Sequence, residues 1–394
     1  MNNKDNLNYN KCLILTDGTN RDGQAVPSIS KDGKLIYTVY TETSDKTNIA
    51  EFFGNNHGNL FSIIKLPMDS EFPEVQSGYS NQNFNRFTLL DENGIQGRLR
   101  LFDSNFTKLT ERIVGIGVFF QGGVFSLDNK YISVSFVNQI FPQFSTLLIL
   151  DSESLETIAS TIFTGRSNGP VFIQFNHRTY ILIGAVDTAP NPEQTLGFGP
   201  PAYITVYELK NNLLITIETK ILPQYPRNYD VLYNKDENGK YVLIGVGTRA
   251  AFLPREKSLV VNNQGFFSFL PNDGDELKIF KFNGCRLKLI EEQNPNVSIV
   301  PLIFNQTNKL LAVGYVNEQL NRNINESGGF LTVYKIHNDK LKIINSSLIN
   351  IPIPYGPFKG NFSQNGKWFV LGGTNASLVN ISTHNNVLLY KFSC

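Results

Sequence analysis

The chain has 394 residues and a formal net charge of +1, which excludes a general polyanion binder, whose affinity needs an excess of Lys and Arg over phosphates. Hydrophobic residues at 41% and aromatics at 12% supply a sizeable core and exclude bulk disorder. Three cysteines, Cys12, Cys285 and Cys394, are odd in number and widely spaced, so they define neither a zinc site nor a disulfide framework.

Residues 1–10 form a polar, Asn-rich tail without the apolar centre of a signal peptide, and no later run is apolar enough to span a bilayer. A soluble, intracellular protein is expected, with a tail at 1–10 and one domain over 11–394. Lys11 to Thr16 reads as a lone strand. The first hairpin follows at Ser30-Lys31-Asp32-Gly33-Lys34, with the strand Leu35 to Tyr40 behind it. Gly, Asn and Asp at such positions predict two-residue turns, because they accept positive φ.

The same phrase recurs at Ser126 to Lys130, at Asn305 to Lys309 and at Ser363 to Lys367, with looser copies at Gln174 to Arg178 and Asn234 to Lys240. Repetition of one short unit marks an array. Third strands with alternating apolar residues are expected at Leu60 to Leu66, Leu99 to Asp103, Leu147 to Asp151, Ile204 to Leu209, Leu277 to Phe282, Leu331 to Ile336 and Val387 to Phe392. Between Thr41 and Gln96 the pattern breaks. That stretch reads either as a degenerate blade with Arg86 to Leu90 as its inner strand, or as one long insertion.

These elements predict an all-β fold, a β-propeller of seven four-stranded blades, with six as the alternative. The last blade lacks a fourth strand, and Lys11 to Thr16 is expected to supply it and close the ring. The phrases Phe125-Ser126-Leu127-Asp128-Asn129-Lys130 and Phe362-Ser363-Gln364-Asn365-Gly366-Lys367 resemble the turns of lactonase-like and YVTN-type propellers. The resemblance implies the fold and leaves the activity open, since enzymes, binders and scaffolds share it.

Function is expected on the face carrying the long loops, 187–201, 248–275 and 317–329. In the segments leading to the inner strands, Arg166, Asn168, Arg227, Tyr229 and Asp230 are polar candidates for gripping an anionic ligand. A structural ion pair between blades is the alternative for such groups, Arg21 and Asp22 included. Arg249, Arg255, Phe266, Phe267 and Phe269 in the longest loop are contact candidates, being the residue types that dominate interfaces.

His57, His177, His337 and His384 fall in different repeats, so no metal site is expected. Neither a nucleophile elbow nor a phosphate-cradling loop is present, and no cofactor is expected. The sequence therefore points to a non-catalytic interaction or scaffold protein with a protein or glycan partner, no nucleic acid and no membrane span. A lactonase-like hydrolase or isomerase with a channel-mouth site near Arg227 and Asp230 is the competing reading, and a small anionic ligand would go with it.

Overall fold

The computed structural model describes residues 13–19, 21, 23–42, 47–68, 71–141, 144–167, 169–186, 202–221, 230–235, 241–247, 276–293, 298–305, 310–316, 329–337, 340–343, 349–351, 357–375 and 386–392. Every regular element among them is a strand, and no helix is long and apolar enough to cross a membrane.

Two strands open the chain, β1 (Leu13–Thr19) and β2 (Gly23–Gln24). The first complete set is β3 (Val26–Ile29), β4 (Leu35–Glu42), β5 (Thr47–Asn56) and β6 (Asn59–Pro67). The second is β7 (Glu74–Ser80), β8 (Arg86–Glu92), β9 (Gln96–Asp103) and the first half of β10 (Lys108–Phe125). The second half of β10 starts the third set, with β11 (Tyr131–Asn138), β12 (Phe144–Asp151) and β13 (Thr157–Thr164). The short β14 (Arg166–Ser167) leads into β15 (Val171–Phe175), β16 (Arg178–Val186), β17 (Ala202–Lys210) and β18 (Leu213–Ile221). The fifth set is β19 (Asp230–Lys235), β20 (Tyr241–Gly247), β21 (Glu276–Phe282) and β22 (Leu287–Gln293). The sixth is β23 (Ser298–Asn305), β24 (Leu310–Val316), β25 (Gly329–His337) and β26 (Lys340–Ile343), with β27 (Ile349–Ile351) also paired to β25. The last is β28 (Pro357–Phe362), β29 (Trp368–Asn375) and β30 (Val387–Phe392).

Within each set the strands pair antiparallel in chain order, and β1 completes the last by pairing with β30, Leu13 opposite Phe392 and Thr19 opposite Val387. The expected closure by the N-terminal strand is therefore present, and it runs three residues past Thr16. Inner strands pack on one another, β3 on β7, β7 on β10, β15 on β19, β19 on β23, β23 on β28 and β28 on β3, while the third set meets the fourth through β11 and β12 on β14 and β13 on β18.

The core lies between successive sets. Ile36 and Phe53 pack with Val370, Val387 and Leu389 of the last set. Tyr37, Val39 and Phe52 pack with Phe87, Leu89 and Phe102 of the second. Central strands are thus buried on both faces, which is why β4 reads Leu-Ile-Tyr-Thr-Val-Tyr and does not alternate cleanly.

Two sequence expectations need correction. The repeated turn is not a two-residue turn. Ser30 N bonds Leu35 O at 2.8 Å and Gly33 N bonds Ser30 O at 2.9 Å, a four-residue loop built on a tight turn with Gly33 at φ +78°. Ser30 Oγ donates to Asp32 Oδ1 at 2.7 Å and accepts the amides of Lys34 and Leu35 at 3.1 and 3.0 Å. Ser126 repeats all three bonds, and Ser363 accepts the Trp368 amide at 3.0 Å. The two-residue type occurs at Asn176 and His177 instead, both at positive φ.

The stretch from Thr41 to Gln96 is neither a degenerate blade nor an insertion. It holds β5, β6 and two full strands of the second set, so Leu60 to Leu66 lies in a fourth strand and Arg86 to Leu90 in a second strand. Its turn escaped notice because Asn81 stands in place of Ser. Asn81 Oδ1 accepts the Asn85 and Arg86 amides at 3.0 and 3.2 Å, and Phe84 takes the positive φ.

Candidate functional site

Among the described residues, the β8–β9 connection, the start of the β11–β12 connection and the segments leading into β3 and β15 lie at the same ends of their sheets. Most residues singled out there from sequence, Asn168, Arg227, Tyr229, Arg249, Arg255, Phe266, Phe267 and Phe269, lie outside the described residues. Arg166 is the first residue of β14, opposite Val186, and Asp230 the first of the inner strand β19, opposite Gly247.

On the same face two buried ionic clusters sit at successive junctions between sets. The first joins the closing strand to the first set. Arg21 donates Nε and Nη2 to Glu51 at 2.5 and 2.8 Å, and Glu51 also accepts Tyr40 Oη at 2.9 Å and Ser62 Oγ at 2.8 Å. The Arg21 amide donates to Asn386 Oδ1 at 2.8 Å, and its guanidinium lies 4.9 Å from the Phe53 ring centre. Burial alone would raise the Glu51 carboxyl; the donors from Arg21, Ser62 and Tyr40 outweigh it and hold the group below its ordinary range. Burial and the adjacent Glu51 push the Tyr40 hydroxyl up. Arg21 is thus the structural ion pair that the sequence left as the alternative to a ligand grip.

The second cluster joins the first and second sets. Arg98 clasps Asp91 with Nε and Nη2, each at 3.2 Å, Arg100 also bonds it, and Asn48 Nδ2 donates at 3.2 Å from β5. The Arg98 guanidinium lies 4.0 Å over the Phe72 ring. Burial pushes the Asp91 carboxyl up, against the pull of Arg100 and Arg98. These clusters fix the connections that carry this face.

Beside them the surface is apolar. Ile95 (54% exposed) closes the β8–β9 turn, Ile116 (57%) ends the second set, Ile140 (80%) and Phe141 (58%) form the β11–β12 turn, and Phe144 (37%) and Ile162 (65%) follow on β12 and β13. Backbone pairing makes them one patch. Gly117 N bonds Ile95 O at 2.8 Å, Ile116 pairs with Gln96 and Gly117 with Asn138. Phe144 N bonds Phe141 O at 2.9 Å, and Thr146 pairs with Ile162. Residues 93–97, 113–119, 138–141, 144–146 and 161–165 contain no ionisable side chain. A contiguous exposed apolar patch on a folded chain marks an interaction site. Sequence reading missed it, since Ile140-Phe141 is too short a run to stand out. Arg166 follows four residues after Ile162, so one candidate borders the patch.

Among the described residues no group of three His, Cys, Asp or Glu side chains is placed to hold a metal. What the described part of this face offers chemically is uncharged apolar surface.

Searches of solved structures return propellers. A chain of the mitotic checkpoint complex superposes with TM-score 0.57 at 10% identity, over 98% of this chain and 95% of that one. The Cps50 (Swd1) β-propeller domain of Myceliophteria thermophila superposes with TM-score 0.55 at 9% identity, over 97% and 100%. The fold is a β-propeller. Kuenenia stuttgartiensis hydrazine synthase superposes with TM-score 0.59 at 11% identity, over 95% of this chain and 97% of that one. No protein-family model matches the sequence, and no curated protein does.

Proposed function

We propose that this propeller is a non-catalytic scaffold that binds a protein partner on its long-loop face, through the apolar rim of the second and third blades. The seven paired sets are read as seven blades of one domain over 11–394, preceded by a polar tail at 1–10. The observation that carries the reading is the uncharged patch around Ile140 and Phe141. Its fit is to a partner surface that is itself apolar and uncharged, because a charge buried against it would lose its water without gaining a counterion. The buried clusters at Glu51 and Asp91 support the same reading: they hold neighbouring connections rigid, so little order is lost on docking. One similar structure comes from the mitotic checkpoint complex, and a fold shared at 10% identity does not by itself decide function.

Burying an Ile or Phe contributes about 1.5–3 kcal/mol, so Ile140→Glu with Phe141→Glu removes about a hundredfold or more in affinity. The test compares the wild-type chain with this double variant in quantitative capture from source-cell extract, alongside sedimentation of the purified chain. A partner retained by the wild type and lost by the variant, with melting unchanged, supports the proposal. A concentration-dependent dimer abolished by the variant reassigns the patch to self-association. Identical capture by both proteins overturns it.

A further inference from the structure

The opposite face carries the tight turns, and its charge is unevenly placed. In the fifth blade the β21–β22 hairpin runs Lys281-Phe282-Asn283-Gly284-Cys285-Arg286-Leu287-Lys288, with three cations and no acid. Register sets Lys281 directly opposite Lys288. In the sixth blade Lys335 is directly opposite Lys342, and His337 opposite Lys340. The fourth strands of these two blades, β22 and β26, touch. Like charges directly opposite on an antiparallel pair are destabilising, and opposed residues lie on the same side of the sheet. The sixth blade therefore keeps an unfavourable lysine pair on its rim, beside the exposed Arg286 and Lys288 of the fifth.

The nearby ion pairs are Arg178–Glu208 at 3.4 Å and Lys220–Glu218 at 3.6 Å. Arg286, Lys288, Lys335, Lys340 and Lys342 are exposed and have no ion pair among the described residues. Leu289 and Ile343, each next to one of these lysines on an edge strand, are exposed as well. The third blade's hairpin on this face has the reverse sign, with Asp151, Glu153 and Glu156 and no cation between them.

We propose that the turn-side rim of the fifth and sixth blades docks an acidic segment of a partner protein in which Asp or Glu alternates with aliphatic residues. Carboxylates supply the charge that the opposed lysines lack, and the aliphatic side chains cover Leu289 and Ile343. A nucleic acid would use the charge and not the aliphatics, and the acidic hairpin of the third blade together with a net charge of +1 opposes an extended polyanion on this face. This surface is separate from the apolar rim, and either can fail without the other.

The test is fluorescence anisotropy on the full chain with three labelled probes: a peptide alternating Glu and Leu, a Glu-only peptide of equal charge, and a short DNA duplex. The Glu/Leu peptide is expected to bind most tightly and to weaken with salt. Lys288→Glu, and Lys335→Glu with Lys342→Glu, should each weaken it by about tenfold or more, whereas Lys130→Glu on the same face of the third blade should not. Lys342→Glu alone places opposite charges across β25 and β26, so its melting temperature should equal or exceed that of the wild type, which separates lost binding from lost folding. DNA binding as tight as the peptide's reassigns the rim to nucleic acid and overturns the proposal. So does binding insensitive to the reversals, or no binding of the Glu/Leu peptide.

Discussion

Replacing Arg21 by Met removes the cation from a carboxylate that the fold cannot return to water. Glu51 is 1% exposed and accepts four hydrogen bonds, two of them from Arg21. Breaking a buried pair from one side costs about 3–5 kcal/mol, because the remaining charge stays desolvated. Tyr40 and Ser62 remain as donors, and Arg21 is itself 21% exposed, so that water reaches the vacated position. The loss is therefore placed at the low end, about 3 kcal/mol. Its pH dependence follows from the sign of the shift. Glu51 lies below its ordinary 4.5 when folded, so its contribution is complete above that value and is lost as the pH falls through the folded pKa. Urea unfolding of wild type and Arg21→Met at neutral pH should show the full gap, and a series descending below 4.5 should show it narrowing. A gap under about 1 kcal/mol, within the range of exposed pairs, or one constant with pH, refutes the assignment of this pair as the clasp between the closing strand and the first blade.

Deleting residues 1–19 removes β1 and leaves the β30 edge unpaired, so the truncated chain should lose cooperative unfolding and aggregate in light scattering; unchanged melting contradicts closure by that strand. Gly33→Ala should destabilise more than Gly94→Ala in thermal melts. Both glycines have positive φ, a strain of about 1–2 kcal/mol for Ala, but a Cβ at Gly33 would collide with the Trp368 ring and one at Gly94 meets nothing within 4 Å. Arg98→Met takes the clasp from a buried carboxylate that burial already disfavours and should cost about 3 kcal/mol or more in urea unfolding, with a loss near zero showing that the cluster is not a structural clasp.

The turn phrase made most of the repeat legible, because Ser, Asp and Gly each do a local job: Ser accepts two amides, Asp accepts the Ser hydroxyl, and Gly or Asn takes the positive φ. Where another residue does that job, the reading failed. Asn81 replaces Ser with one amide oxygen and Phe84 replaces Gly, so the stretch reads only as a degenerate blade or an insertion, with Arg86 to Leu90 placed as an inner strand instead of a second one. β10 hid a blade boundary for a different reason. Its 18 residues serve two blades without a turn, pairing with β9 up to Ile116 and with β11 from Gly117 on. The closing strand was legible from a missing fourth partner. The apolar rim was not, since exposure of Ile140 and Phe141 depends on what fails to cover them, and no local pattern encodes that. The Arg21 clasp was legible only as a choice between ligand grip and ion pair, and a partner thirty residues away decided it.

The most direct test of the docking face is site-specific photocrosslinking in source cells, with the crosslinker placed singly at Ile140, at Phe141, at Phe61 on the first blade's outer strand, and at Lys130 on the turn face. A partner on the apolar rim predicts the same protein adduct from positions 140 and 141, and its absence from 61 and 130. Adducts of equal strength at all four positions, or none at 140 and 141, would contradict it.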